Sequence, residues 1–252
     1  MLLFAGVHKG FASPRKTSVL EDLHLELDAG QAVCISGPVG AGKTTLIRLA
    51  AGQLFADRGE VRIAGRDPAR LRSRSLAALR QLVAWVPQEL RLLDDRTAID
   101  NVAIACEASG VSRRQARSTA ATALAEMGLA EEIDVPVYAL STGQRRRVSL
   151  ARGLATEPQL ILADEPSGDL DPEGVSLLAA AIDSRLADGA AALITTHDRR
   201  LLAAGAARGW AHRRLVGGAL GGCESSTPVT EVTAQSGVIV QFPPVARVGG
   251  IE

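Results

Sequence analysis

Residues 37 to 45 read Gly-Pro-Val-Gly-Ala-Gly-Lys-Thr-Thr. Gly37, Gly40 and Gly42 let the backbone N–H groups turn inward, with Pro38, Val39 and Ala41 between them. Lys43 follows, then the hydroxyls of Thr44 and Thr45. An apolar run, Ala32 to Ser36, precedes this loop, and a helical pattern, Leu46 to Ala51, follows it. That strand–loop–helix context suits a phosphate cradle. The amides and the helix N-terminus face the anion, the lysine reaches the outer phosphates, and the Thr44 hydroxyl ligates Mg²⁺. Further along, Leu160-Ile-Leu-Ala ends in Asp164 and Glu165. Asp164 is placed to hold Mg²⁺, and Glu165 to orient and activate an attacking water. Gln88 follows an apolar run ending at Pro87 and is a candidate for Mg²⁺, water and γ-phosphate. His197 follows Ala191 to Thr196, at a strand end where α/β sites assemble, and is a candidate γ-phosphate contact.

Between these groups lies Leu140-Ser141-Thr142-Gly143-Gln144, followed by Arg145, Arg146 and Arg147. The motifs taken in order resemble the nucleotide-binding subunits of ABC transporters. The resemblance spans about residues 1 to 218. It implies ATP with Mg²⁺ as cofactors, a P-loop at Gly37 to Thr45, Gln88 as the Q-loop glutamine and Glu165 as catalytic glutamate. It also makes Ser167 to Asp171 the D-loop, His197 the switch histidine and Phe11 an adenine-stacking aromatic. Family members work as head-to-tail dimers. Ser141, Thr142, Gly143 and Gln144 would therefore complete the site of a second copy. The usual signature has glycine where Thr142 stands. If the family needs glycine there for conformation or close approach, threonine loosens the composite site and Thr142→Gly raises turnover. If the backbone is helical, threonine is harmless.

Within the family, Leu92 to Ala103 resembles the FtsE branch, cell-division ATPases that act with the membrane protein FtsX. That implies an integral FtsX-like partner, a peripheral place on the cytoplasmic face of the membrane, and control of cell-wall hydrolysis. The alternative is the ATPase of a lipoprotein-release or MacB-type exporter. A soluble repair or translation protein of the same family would carry a long coiled coil or a second ATPase domain, and neither pattern is present.

The elements that must hold these groups read as α/β. Period-two alternation at Leu23, Leu25 and Leu27 and the run Leu2 to Val7 predict strands of an antiparallel N-terminal region. Ala32 to Ser36, Leu82 to Val86, Leu160 to Ala163 and Ala191 to Thr196 are continuous apolar runs of the buried parallel type, and Val61 to Ala64 is a further strand. The fold expected is a P-loop NTPase of ABC type, a mixed or parallel core sheet with a helical subdomain over about 90–157. Ser112 and Gln115 predict a capping box and Gly128 a stop. Asp171 before Pro172 predicts an N-cap and first helical position. Residues 219–252, rich in Gly, Ser, Thr and Pro, are expected to form a flexible tail, with a short docking strand as the alternative.

Composition narrows the partners. The chain has 252 residues with 28 basic and 28 acidic groups, so its formal charge is zero. Arg70, Arg72, Arg74, Arg113 and Arg114 lack neighbouring aromatics and read as solvated helix faces, which argues against a nucleic-acid role. Cys34, Cys106 and Cys223 are far apart and read as reduced thiols. The N-terminus does not read as a signal peptide, and no apolar run is long enough to span a bilayer. His8, His24 and His212 read as structural.

Overall fold

The computed structural model describes residues 1–12, 16–221, 232–234 and 237–239. Strands β1 (Leu2–Ala12), β2 (Lys16–Leu27) and β4 (Arg58–Ile63) form an antiparallel sheet in the order β2-β1-β4. Both N-terminal strands run further than their apolar alternation indicates, and their pairing resumes beyond register shifts in β1 near Val7 and Lys9. A six-stranded sheet has the order β5-β6-β7-β3-β8-β9, from β3 (Ala32–Ser36), β5 (Val83–Val86), β6 (Leu160–Asp164), β7 (Ala191–Thr195), β8 (Ala211–Val216) and β9 (Ala219–Leu220). Its first five members are parallel, and β9 returns antiparallel to β8. The expected α/β fold, with an antiparallel N-terminal sheet and a mixed core sheet, is present.

Strand β8 has no counterpart in the sequence reading. Its segment, Ala-His-Arg-Arg-Leu-Val, carries charge where a buried parallel strand is normally apolar, yet Arg213 is 5% exposed. The short hairpin Val232–Ala234 with Gly237–Ile239 pairs antiparallel. The rest of the expected C-terminal tail beyond residue 221 lies outside the described residues.

The helices are α1 (Lys43–Ala50), α2 (Ser73–Arg80), α3 (Ala98–Ala108), α4 (Arg113–Glu126), α5 (Thr142–Leu154), α6 (Pro172–Ala187) and α7 (Arg199–Ala206). Helices α3 to α5 make up the expected helical region, but it begins at Ala98; residues 87–97 form a loop. Thr97 caps α3, its side chain accepting from the N–H of Asp100. Ser112 caps α4 by accepting from the Gln115 N–H, which is half of the expected box. The complete box is on α5, between Ser141 and Gln144. Asp171 and Pro172 open α6 as expected, with the Asp171 carboxylate on the Gly174 N–H at 2.8 Å.

Alternation along the parallel strands sends successive side chains to opposite faces. Val33, Ile35, Leu160, Leu162 and Leu193 pack beneath the antiparallel sheet and α1. Cys34, Ile161, Ala163, Ala192 and Ile194 face the other way, into one continuous core with α3, α4, α5 and α6. Each large aliphatic side chain so buried contributes about 1.5–3 kcal/mol. The sheet is thereby clamped from both sides, and its strand ends are held in fixed relation.

Candidate functional site

The parallel strands β5, β6, β7 and β3 are neighbours, and all end on the same edge of the sheet. The loop at Gly37 leaves β3. Asp164 ends β6, His197 follows β7 and Gln88 follows β5. Sheet order, not sequence distance, brings together residues more than a hundred positions apart.

The phosphate loop is shaped by backbone constraints. Gly42, the residue before α1, has φ +102, and a Cβ there would lie 3.0 Å from the Val19 side chain and backbone. A Cβ on Gly37 would lie 2.3 Å from the Leu215 carbonyl oxygen, so β8 presses directly on the start of the loop. Lys43 Nζ donates to the carbonyls of Gly37 at 2.8 Å and Pro38 at 3.2 Å, which centres the ammonium within the turn. Val39 stands fully exposed at its tip. A recess of about 520 Å³ is lined by Val19, Gly37, Val39 to Thr45, Gln88, Asp164, Glu165 and His197.

Asp164 is 5% exposed and accepts a hydrogen bond from the Thr195 hydroxyl at 2.6 Å. Strand register sets Thr195 directly opposite it. A buried carboxylate with one hydroxyl partner keeps lone pairs for a hard cation. Together with the oxygens of Thr44 and Gln88 in the same recess, this donor set suits Mg²⁺. Glu165 has φ +48, a left-handed conformation costly for a non-glycine residue. Its N–H bonds the Thr195 carbonyl at 2.9 Å. Its Oε2 lies 2.9 Å from His197 Nδ1 and accepts from the His197 N–H at 3.1 Å. The carboxylate is therefore fixed at the mouth of the recess, while His197 is 80% exposed.

The signature lies elsewhere. Ser141, Gly143 and Gln144 line a separate recess of about 460 Å³ with Glu132, Arg147, Asp169 and Asp171. It has no residue in common with the phosphate-loop recess. Thr142 is the first residue of α5 and has ordinary helical geometry, absent from the positive-φ residues. The conformational argument for glycine at that position is thus removed. Gln144 closes the capping box and also donates from Nε2 to Glu132 at 3.0 Å. Phe11 is 43% exposed near the end of β1, with Lys9 Nζ 5.6 Å above its ring. It is not among the residues lining the phosphate-loop recess, whereas Val19 of β2 is.

Three groups escaped the sequence reading. Thr195 is visible only once the register opposite Asp164 is known. Val19 needed the pairing of β2 over the loop. Arg145 to Arg147 look alike in sequence, but helical rotation sends them in different directions. Arg145 pairs with Asp94, and Arg147 with Asp171 at 2.7 Å. Arg146 is buried, with its guanidinium on the carbonyls of Gln88 at 2.7 Å, Gly168 at 3.1 Å and Pro87 at 3.4 Å. Burial lowers its pKa below the ordinary arginine value, partly offset by Asp169. Ser149 and Arg152, each three residues further along α5, bond the carbonyls of Leu90 and Arg91. Asp171 is held below the usual aspartate value, first by the Gly174 N–H and then by Arg147. His24 and His212 pair with Asp22 and Ser36, and His8 accepts from the Asp22 N–H, in keeping with structural roles.

The sequence profile of the ABC transporter family matches residues 20–168. The lipoprotein-releasing system ATP-binding protein LolD of Ruegeria sp. is 37% identical over 206 residues, covering 80% of this chain and 91% of that one. The methionine import ATP-binding protein MetN of Leifsonia xyli is 35% identical over 200 residues, 79% of this chain and 59% of that one. The dimeric post-hydrolysis structure of the ATP-binding cassette MJ0796 bound to ADP and phosphate superposes with a TM-score of 0.82 at 26% identity. It covers 90% of this chain and all of that one.

Proposed function

The chain belongs to the ABC transporter family and is an ATP-hydrolysing, ATP-binding subunit; from that premise we propose that it works as a head-to-tail homodimer in which each ATP is held by the phosphate loop of one copy and the signature of the other. The observation that carries this is the separation of the two recesses, which have no residue in common within one chain. A single copy presents Lys43 and the loop amides to the phosphates, whereas Ser141 and Gly143 line the other recess. The isolated monomer is accordingly a poor ATPase.

In the closed dimer, Lys43 neutralises the outer phosphates. Thr44, Asp164 and Gln88 would hold Mg²⁺, whose charge offsets that developing on the transferred phosphoryl group. The Glu165 carboxylate accepts a proton from the attacking water, and His197 fixes that carboxylate through Oε2 and reaches the γ-phosphate. Phe11 and Val19 support the base and sugar. Because ATP binds the closed pair better than the open one, closure and release perform work on whatever the dimer is attached to.

That attachment is to an integral membrane partner at the cytoplasmic face. Among the described residues no helix is long and apolar enough to cross a membrane. A lipoprotein-release type of system is favoured by LolD relatives from Ruegeria and Bacteroides at 37% and 38% identity over 80% of the chain. The second reading, an FtsX-like partner in cell division, rests on residues 92–103. Three polar side chains there make structural contacts of the fold. Thr97 caps α3, Asp100 pairs with Arg117, and Asn101 clamps Leu93. Their identity therefore speaks for a shared fold more than for a particular partner. Membrane pull-down with the Glu165→Gln protein and ATP decides between the two. A lipoprotein-release permease supports the first reading, and an FtsX-like protein replaces it with the second.

A further inference from the structure

Arg146 is a buried charge outside the catalytic groups assigned above. It is 4% exposed, and its nearest carboxylate, Asp169, is 4.0 Å away. Its Nη2 and Nη1 donate to the carbonyls of Gln88 and Pro87, and its Nε donates to the carbonyl of Gly168. Guanidinium donors form a rigid planar fork. Here the fork is spent on main-chain oxygens of two separate segments, so the side chain is locked in place and not free to swing towards a phosphate.

The segment it holds on one side is irregular. Gln88 lies in the loop after β5, without strand partners of its own. What ties residues 87–91 down is α5, through Arg146, Ser149 and Arg152. Of these side chains only Arg146 also reaches the turn at Gly168 and Asp169. A further cleft, overlapping the phosphate-loop recess, is lined by Gln88, Arg146, Asp164, Glu165, Asp169 and His197.

We infer that Arg146 is a positioning residue that fixes Gln88 and the Gly168–Asp169 turn to the signature helix, so that any displacement of α5 moves both into or out of register with Asp164 and Glu165. The inference rests on the roles proposed above for Gln88 and the composite site. It gives the signature two functions in one helix. Its N-terminus faces the partner's nucleotide, and its first inward turn adjusts the hydrolytic geometry of its own.

The test uses the full chain with Arg146→Met and Arg146→Lys. Methionine keeps bulk without donors, and lysine restores charge on one flexible head without the planar fork that spans the Gln88 and Gly168 segments. Misplacement of a reacting group by about 1 Å costs on the order of 10²-fold. The expected result is kcat lowered at least about 10-fold in Arg146→Met, with the ATP KM within about 2-fold of the parent. Arg146→Lys falls between, and the Mg²⁺ concentration for half-maximal rate rises in the order Arg, Lys, Met. A purely structural role would instead weaken ATP binding and thermal stability together. A kcat within about 2-fold of the parent, or a KM that rises in step with the loss of kcat, overturns the inference. If Arg146→Met does not fold, Arg146→Lys carries the same comparison. Gln88→Ala separates the two levels of the argument. If it leaves the rate unchanged, the role of Gln88 is wrong. If it slows the enzyme while both Arg146 variants do not, only the clamp is wrong.

Discussion

Replacing Glu165 by glutamine tests the assignment of the base most directly. Glutamine keeps the shape of the side chain and one oxygen able to accept from the His197 N–H, now 3.1 Å from Oε2. The negative charge is lost, and one acceptor oxygen becomes an NH2 donor. Losing a positioned general base costs about 10²–10⁴-fold, or about 2.7–5.5 kcal/mol at 1.36 kcal/mol per decade. The phosphate loop and Lys43 are untouched, so ATP affinity should stay within about 3-fold of the parent, since ground-state binding and transition-state stabilisation are separate quantities. The fold should be equally stable, because a contact to a histidine 80% exposed contributes little. The assay is single-turnover hydrolysis, with ATP-dependent dimerisation followed by gel filtration. A variant that hydrolyses within about 5-fold of the parent refutes the role of Glu165 as base. One that loses ATP affinity as steeply as rate shows that the carboxylate binds nucleotide instead. A second comparison checks the backbone argument. At φ +48 a Cβ is disfavoured, so Glu165→Gly should be more stable than Glu165→Ala by about 1 kcal/mol. That is about 2–4 °C in melting temperature for a chain of this size. An equal or lower Tm for the glycine variant would mean that φ +48 stores no strain.

Other expectations follow from the geometry. Thr142→Gly should leave turnover within about 2-fold, because Thr142 is already helical; a several-fold rise would mean that close approach to the partner is what threonine impedes. Asn101→Leu strands the Leu93 N–H and carbonyl that it bonds at 2.7 and 3.0 Å, and thermal melting should show a loss of about 2–4 kcal/mol, with no effect disproving the clamp. The Asp171 carboxylate has a lowered folded pKa, so its stabilisation is complete above the ordinary value of about 3.9 and is lost as pH falls through the folded value. Urea unfolding of Asp171→Asn should accordingly show a shallower acid decline than the parent below about pH 4. Burial pushes the Cys34 thiol up to about 12 and also raises Cys106, so in a Cys223→Ser background neither should react with a disulfide reagent at about pH 8 until the protein unfolds.

Much of the site was legible because the phosphate loop and acidic strand end are contiguous stretches flanked by strands whose apolar runs are unmistakable. Gln88 and His197 could be chosen because each follows such a run. The residues that escaped depend on contacts across the sheet or around a helix. Thr195 matters because register places it beside Asp164, and Arg146 differs from its neighbours only by rotation around α5. Strand β8 was hidden by the buried Arg213 and its polar neighbours. Residues 92–103 carried a finer functional expectation than their contacts support, since Thr97 and Asn101 are spent on capping and clamping.

The continuous core joining α3, α4 and α5 to α6 and one face of the central sheet bears on how this protein could be re-engineered. A helical segment that shared little apolar surface with its host could be exchanged between relatives like a cartridge, carrying its partner preference with it. Here Val148 and Leu150 share a core with Ile182, Ile161 and Ile194. A graft of residues 90–157 from another family member would therefore expose or overfill surface belonging to α6 and the sheet. Chimeras that bring the inward face of α6 along with the helical segment should express as folded protein, whereas those cut only at the segment's ends should not.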